Sequence, residues 1–417
     1  MFPGFSAALS ALNAESTAID VCGNNLANLN TTGFKAEQVE FSDLMSQTLG
    51  GSLNPAQVGM GVGPIQTSSN YIQGGITTTN GPTDAAIQGE GFFVVKDQNN
   101  QMLYTRDGSF QIDSSGELVT ATGEKVQGWT AVNGVVNPNG PVSNLTIPAG
   151  ALNPGAATTT MSLQVNLDAG ASTTGSDASF SAPIQVFDSL GESHTLSVNF
   201  TKTDTNTWTY TVTIPAADLQ TGGTTTLAQG TMTFDGNGNL TSPALTSDPQ
   251  TVAISGLADG ANDMSINWNL FDSSGNSNIT QFSQTSSLEG TSQDGAAPGE
   301  ITGVNLEGSG LLVANYSNGQ QLTIGQLAVA AIQNPNSLIS VGNNNLQTSA
   351  ATAPPAIGAA NTGGRGQILG GSLEGSTSDM ATEFTNLLSF ERSYQAATRV
   401  VTTGNTMIQD ALNMIQG

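Results

Sequence analysis

The sequence predicts a mainly β chain with α-helical termini. The N- and C-terminal helices form a coiled-coil-like core domain, and two nested β-rich domains, sandwich- or barrel-like, are inserted between them. Three observations predict this. Apolar residues recur every seventh position at both ends of the chain. The middle alternates apolar and polar residues in short runs. Glycine is abundant, at 50 of 417 residues, and charged residues make up only 10%, which suits hairpins and turns.

The N-terminal helix belongs to residues 1–35. Phe5, Leu12, Ile19 and Leu26 form one heptad row, with Ala8, Cys22 and Leu29 at the offset positions and Glu15 breaking that second row. Pro3 is tolerated only in the opening turn. Asn28, Asn30 and Gly33 end the helix, and Gly33 can adopt a left-handed cap.

Residues 36–71 read as a connector. A short amphipathic piece (Val39, Phe41, Leu44, Met45) precedes Gly50, Gly51, Pro55 and Pro64, residues that suit a hinge rather than a core.

The first β domain begins over 72–144. Phe92–Val95 is a strand, Tyr104–Gly108 leads into Phe110 and Ile112, and Asp113–Gly116 turns the chain into Leu118. Residues 145–290 form an outer β domain of half-buried antiparallel strands. Met161, Leu163, Val165 and Leu167 share one face, as do Leu196, Val198 and Phe200, then Trp208, Tyr210, Val212 and Ile214, then Ile266, Trp268 and Leu270. An aromatic followed by an Asp-initiated, Gly-closed turn recurs at Phe187–Gly191, Phe234–Gly238 and Phe271–Gly275. Residues 291–341 return to the first β domain through a hairpin with an Asn318–Gly319 turn. Residues 342–375, with Pro354 and Pro355, read as an irregular linker and second hinge.

The C-terminal helix covers 376–417. Leu387, Tyr394, Val401, Ile408 and Ile415 form one row, Phe390, Ala397, Gly404 and Ala411 the other, and Leu412 belongs with the apolar set. Ser376 with Asp379 signals the start, and Asp379 and Glu383 suit a helix N-terminus. One-sided seams of this length need partners.

Charge excludes several functions. Eight Lys and Arg against 32 Asp and Glu give a net charge of −24, and the cations are scattered. That argues against nucleic acid and against anionic membrane. No run of 18 apolar residues is present, so membrane insertion is not expected. The first basic side chain is Lys35, so a cleaved secretory signal is not expected either. Cys22, the single cysteine, reads as a small buried hydrophobe on the seam, with a reactive thiol as the alternative.

Catalytic chemistry finds little footing. His194 is the single histidine, on a strand at the parity of Leu196 and Val198, and reads as a surface or half-buried strand residue. A metal centre of His and Cys is excluded by count. Asp235–Asn239 opens like a calcium loop, but Leu240 and Thr246 stand where Gly and Glu belong, so a hairpin turn is expected. No phosphate-binding Gly loop occurs. The expectation is no enzyme, no catalytic residue, no metal and no cofactor.

Four runs resemble one family. Asn24, Asn25, Leu26, Ala27, Asn28, Leu29, Asn30, Thr31, Thr32, Gly33, Phe34 and Lys35 resemble the N-terminal signature of the bacterial flagellar rod and hook axial proteins. The run from Gly91 through Tyr104–Phe110 to Gln127–Trp129, and the run Tyr316–Gly319 with Gly325–Ala328 and Asn334–Pro335, resemble that family's first β domain. Gly371–Ser378 with Phe390–Gln395 resemble its C-terminal signature. The resemblance covers about half the chain.

The resemblance implies a subunit exported by the flagellar type III apparatus and polymerised into a hollow helical tube outside the cell, at the distal end of the basal body. The large insert at 145–290 selects the hook type, a curved universal joint that transmits torque between rod and filament. A distal rod or hook-associated protein, and outside the family a secreted β-rich adhesin or binding module, are the alternatives. Implied partners are other copies of the chain, rod, hook-cap and hook–filament junction proteins and the export apparatus. The implied assembly helices carry Phe5, Leu12, Ile19, Leu26, Leu387, Phe390, Tyr394, Val401, Ile408, Leu412 and Ile415.

Overall fold

A computed structural model describes residues 3–44, 47–49, 56–148 and 152–416, with side chains over 4–44, 59–148 and 152–414. The terminal helices are α1, Pro3–Ala27, and α2, Met380–Gln416. At 1.5 Å per residue they are roughly 37 and 55 Å long. They lie side by side and antiparallel. Asn25 Nδ2 donates to Glu383 Oε1 at 3.0 Å near one end. Towards the other, a Cβ on Gly404 would stand 3.4 Å from Phe5 Cδ2.

On α2, Leu387, Phe390, Tyr394, Ala397, Val401 and Gly404 are half-buried, and on α1 so are Phe5, Leu12, Ile19 and Leu26. The most buried α1 positions are mostly small: Ala8, Ala14, Ala18 and Cys22. Small side chains let the two backbones approach, which is why they sit deeper than the large row. Phe41, from the connector, adds a ring 5.9 Å from that of Phe390.

Two details differ from the sequence expectation. The α2 N-cap is Asp379 rather than Ser376: its Oδ1 accepts from Thr382 N at 2.8 Å and Thr382 Oγ1 at 2.9 Å. An aspartate one residue before the first helical turn reaches that amide directly. The seam on α2 also outruns its partner. Ile408 and Leu412 are 37% and 53% exposed because α1 ends opposite Gly404. Ile415 lies within α2, with its side chain outside the described residues.

The chain divides into two compact units. The first holds Met1–Ala149, Val304–Ala314 and Leu322–Gly417; the second holds Gly150–Gly303 and Asn315–Gln321. In the first unit, strands Gln321–Leu327, Lys125–Val132, Phe92–Lys96, Met102–Thr105, Asn345–Gln347 and Ile339–Gly342 lie in that order, all antiparallel. Phe92, Val94, Tyr104, Trp129, Ala328 and Ala330 form a core on this sheet.

The linker reading of 342–375 does not hold. Asn345–Gln347 pairs with Met102–Thr105, Ala356–Gly358 with Val329–Ala331, Gln367–Gly370 with Ala85–Gln88, and Ser372–Glu374 with Ile76–Thr78. These strands are three or four residues long, too short for alternation to register between glycines and prolines. Pro354 and Pro355 therefore precede a paired strand. In the connector, Glu37–Glu40 pairs with Gln66–Ser69, and Pro64 is exposed just before the second strand. Gly50, Gly51, Pro55 and Met45 lie outside the described residues.

The second unit is a sandwich. One sheet runs in chain order through Ser179–Phe187, Ser193–Asp204, Thr207–Thr213, Thr226–Phe234 and Leu240–Ser242. The other centres on Thr160–Asp168, flanked by Met264–Trp268, Ile279–Phe282 and Ser287–Gln293, with Gln250–Ile254 at its edge. Core residues of both sheets make one cluster that includes Leu163, Val198, Phe200, Trp208, Ile266 and Trp268.

Not all its strands are antiparallel, as the alternation suggested. Thr160–Asp168 is parallel to both Met264–Trp268 and Ile279–Phe282. Parallel neighbours need a long crossover, and the first sheet, lying between them in sequence, supplies it. Alternation fixes which face is buried but not the partner's direction. His194, expected at the surface or half-buried, is buried because it shares the core-facing parity of Leu196.

The recurrent turn is more widespread than the sequence pattern indicated. Asp97, Asp113, Asp188, Asp235 and Asp272 each accept, through Oδ1, the amides two and four residues on, at 2.7–2.9 Å. Three residues after each Asp, Asn100, Gly116, Gly191, Gly238 or Gly275 holds φ between +62° and +84°, the conformation glycine and asparagine adopt most cheaply. Asp235 thus spends its carboxylate on turn amides.

Truncating Phe200, fully buried between the sheets, to alanine should cost about 3–5 kcal/mol. Urea denaturation of the full chain should show the second unit's transition moving to lower denaturant while far-ultraviolet dichroism of the native protein is retained.

Candidate functional site

The end of α1 and the start of α2 meet the first β domain at one buried carboxylate. Glu374, the last residue of strand Ser372–Glu374, is completely buried. Its Oε1 lies 2.6 Å from Lys35 Nζ and its Oε2 3.1 Å from Arg106 Nη1. Gly74 N also donates to Oε1 at 2.8 Å, and Gly33 N donates to the Glu374 carbonyl at 2.7 Å.

Each cation has further acceptors. Lys35 Nζ donates to Ile72 O at 2.7 Å. Arg106 Nη2 donates to Gly89 O at 2.8 Å, and its guanidinium lies 5.3 Å from the centre of the Phe92 ring. Burial pulls the Lys35 ammonium below the usual lysine range, although the adjacent Glu374 carboxylate opposes this.

The signature run builds this junction residue by residue. Asn25, buried in the last turns of α1, uses its amide twice on the connector: Nδ2 donates to Glu37 O at 2.8 Å and Oδ1 accepts from Glu37 N at 2.9 Å. Its third bond is to Glu383. Asn28 Nδ2 donates back to Asn24 O at 2.9 Å, and Asn28 Oδ1 accepts from Thr31 Oγ1 at 3.0 Å, which turns the chain off the helix.

Gly33 holds φ +67°, and a Cβ there would stand 2.5 Å from the Arg106 carbonyl carbon. No other residue allows that crossing. Phe34 O accepts from Thr377 N at 3.1 Å, and Ala36 N donates to Thr377 Oγ1 at 2.8 Å. Asn24, Ala27 and Asn30 are exposed and Leu26 half-buried.

Sequence reasoning quoted Arg106 and Glu374 inside runs but gave them no role. The signal was available: with eight cations in the chain, a lysine in one run and an arginine in another both require an acid, and Glu374 stands in a third. Cys22 and Glu383 extend the junction along the helix seam. Burial, with the Glu383 carboxylate beside it, pushes the Cys22 thiol up to about 12.

At the far end, the uncovered part of α2 and the start of α1 form an apolar groove of about 820 Å³. Phe5, Val400, Met407, Ile408, Ala411 and Leu412 line it. Met380, Phe384 and Leu388 are exposed apolar residues near the start of α2. Among the described residues, no helix is long and apolar enough to cross a membrane.

The comparisons with known proteins cover the chain in four pieces. Residues 5–35 match the flagella basal body rod protein model, 86–168 the flagellar hook protein FlgE/F/G D1 domain, 168–296 the flagellar basal body protein FlaE D2 domain, and 369–414 the C-terminal model of the flagellar basal body rod FlgEFG protein. The flagellar hook protein FlgE of Treponema pallidum is 33% identical across 97% of this chain and 98% of its own length. That of Escherichia coli is 30% identical across 98% and 99%. The crystal structure of Helicobacter pylori flagellar hook protein FlgE2 matches with a TM-score of 0.49 at 16% identity, over 70% of this chain and 99% of that one.

Glu374→Ala leaves two buried cations without their acid and should cost about 3–5 kcal/mol. Replacing Lys35 by Met in that background should cost less than Lys35→Met alone, a coupling that a double-mutant cycle in urea would measure. Additive losses would count against the triad. Cys22 should resist iodoacetamide at pH 8 in the native chain and react fully in urea, as mass spectrometry would read.

Proposed function

Because the chain belongs to the bacterial flagellar hook protein family, we propose that it polymerises into a curved hollow tube that joins rod to filament and transmits torque. The reading makes it a structural subunit of the extracellular hook, with no catalytic step. Its partners would be copies of itself along the tube and, at the tube's ends and before assembly, rod, cap and junction proteins and the flagellar export apparatus.

The observation that carries the assembly mechanism is the surplus of α2 over α1. Intramolecular pairing covers the seam as far as Gly404 and leaves Met407, Ile408 and Leu412 open in an apolar groove. Apolar surface of this kind gains by burial against a neighbouring subunit at roughly 25 cal/mol per Å². The terminal helices would then form the inner wall of the tube. Flexing is assigned to the connector 36–71, because the strands at 345–374 are paired into the first unit and would move with it.

Ile408→Asp together with Leu412→Asp should stop polymerisation. Both positions are exposed in the single chain, so its unfolding free energy should change by no more than about 0.5 kcal/mol. Negative-stain electron microscopy at high protein concentration in ammonium sulfate should show curved tubes for the parent and none for the double variant. Tubes from the variant would remove the groove from the mechanism, and straight parent tubes would favour a rod-type subunit.

A further inference from the structure

At one rim of the second unit, three carboxylates surround the chain's single histidine. Asp188 opens the turn after strand Ser179–Phe187, and His194 is the second residue of strand Ser193–Asp204. Asp218 ends the short 3-10 turn Ala216–Asp218, and Asp259 lies between strands Gln250–Ile254 and Met264–Trp268. His194 Nε2 is 3.2 Å from Asp188 Oδ2 and 4.0 Å from Asp259 Oδ2, and Nδ1 is 3.3 Å from Asp218 Oδ2. His194 and Asp188 are buried.

Two independent observations point to a cation. The first is charge. Three carboxylates face one imidazole, so even the imidazolium leaves two negative charges unbalanced. Lys202 is the one Lys or Arg between residues 150 and 303. Its ammonium is already committed to Ala169 O at 2.7 Å and Ala171 O at 2.9 Å. The unit has no basic side chain left to give this rim.

The second is ligand geometry. Nε2 and one oxygen each of Asp188 and Asp259 lie within 4.8 Å of one another. Donors each about 2.0–2.2 Å from a shared ion stand at most about 4.4 Å apart, so a small closing movement of the exposed Asp259 side chain brings the set around one ion. Asp188 Oδ1 is held by Leu190 N at 2.8 Å and Glu192 N at 2.9 Å, which aims Oδ2 at the site. His194 Nδ1 is buried and makes no well-aligned hydrogen bond. The Asp218 carboxylate beside it is placed as the outer partner that fixes a metal-bound imidazole.

We propose that Asp188, His194 and Asp259 form a divalent-cation site, with Asp218 orienting the imidazole. One nitrogen and two carboxylates are too few oxygens for calcium and suit zinc or a similar first-row ion. Asp259, whose side chain is 26% exposed, provides the entry path and leaves room for a water ligand. This departs from the expectation of no metal, which had weighed a His and Cys centre and a calcium loop at Asp235–Asn239 but not carboxylates converging on His194. The ion would tie the turn and strand of one sheet to a loop of the other, and so close one end of the sandwich.

The test uses the metal-stripped full chain. With one histidine in the sequence, its imidazole NMR signals are assigned without mutagenesis. One equivalent of Zn²⁺ should move them, and calorimetry should give one site per chain. Zn²⁺ should raise the unfolding temperature of the second unit more than Ca²⁺ at equal concentration. Asp259→Asn should abolish both effects with native dichroism retained, Asp218→Asn should weaken binding roughly 10–100-fold, and the turn variant Asp235→Asn should bind as the parent does. Imidazole signals unmoved by Zn²⁺, or an Asp259→Asn chain that binds as tightly as the parent, would overturn the proposal and leave a metal-free imidazolium cluster.

Discussion

The Glu374 carboxylate is the interaction on which the first unit depends. It gathers Lys35, Arg106 and Gly74 across sequence separations of 339, 268 and 300 residues. Burying an acid and two bases is expensive, and the cost is offset only when every donor and acceptor is matched. Here Lys35 and Arg106 also donate to the backbone carbonyls of Ile72, Ile87 and Gly89, and Arg106 Nε is the exception, buried without a hydrogen-bond partner. The gain is specificity of placement: one carboxylate holds the exit of α1, the first β domain and the entry to α2 at a single point.

That pin sets the register of the terminal helices. With Asn25 tied to Glu383 at the junction, α1 and α2 must run antiparallel away from it. Their lengths differ, at 25 and 37 residues, so the whole difference emerges at the end far from the β domain. The uncovered apolar turns of α2 are therefore a consequence of the junction, and their position is as fixed as the junction is. Small residues on α1 keep the pair close and leave Phe384, Leu388 and Met407 facing outwards.

Much of this was legible in the sequence, and what was not has physical reasons. The heptad rows located both helices because a period of seven in apolar residues has few other causes. Clean alternation located the strands of the second unit, where each buries one face. It missed the strands at 345–374, which are too short to alternate, and the parallel pairs, since side-chain pattern is blind to strand direction. The signature run was recognised as a unit, yet its purpose lies in partners hundreds of residues away. His194 was placed on the right parity but read as a surface or half-buried residue. Its burial is tolerable because carboxylates from three separate loops reach it, a convergence no local pattern reveals.

The scarcity of cations explains how the two kinds of surface are kept apart. Lys35 and Arg106 are spent inside on Glu374, Lys202 on backbone carbonyls, and Arg365 on the carbonyls of Ala356 and Ala359. Used as internal fasteners, they leave most of the 32 acids unpaired, so the β-rich surfaces of neighbouring chains repel. The exposed end of α2 is different: from residue 405 to 416 it carries one charged residue, Asp410. Repulsion between bodies and attraction at a nearly uncharged apolar helix end together restrict where two chains can adhere. The chain ties up half of its eight basic residues internally, and Arg392 and Arg399 are exposed on α2 rather than on a β-rich surface.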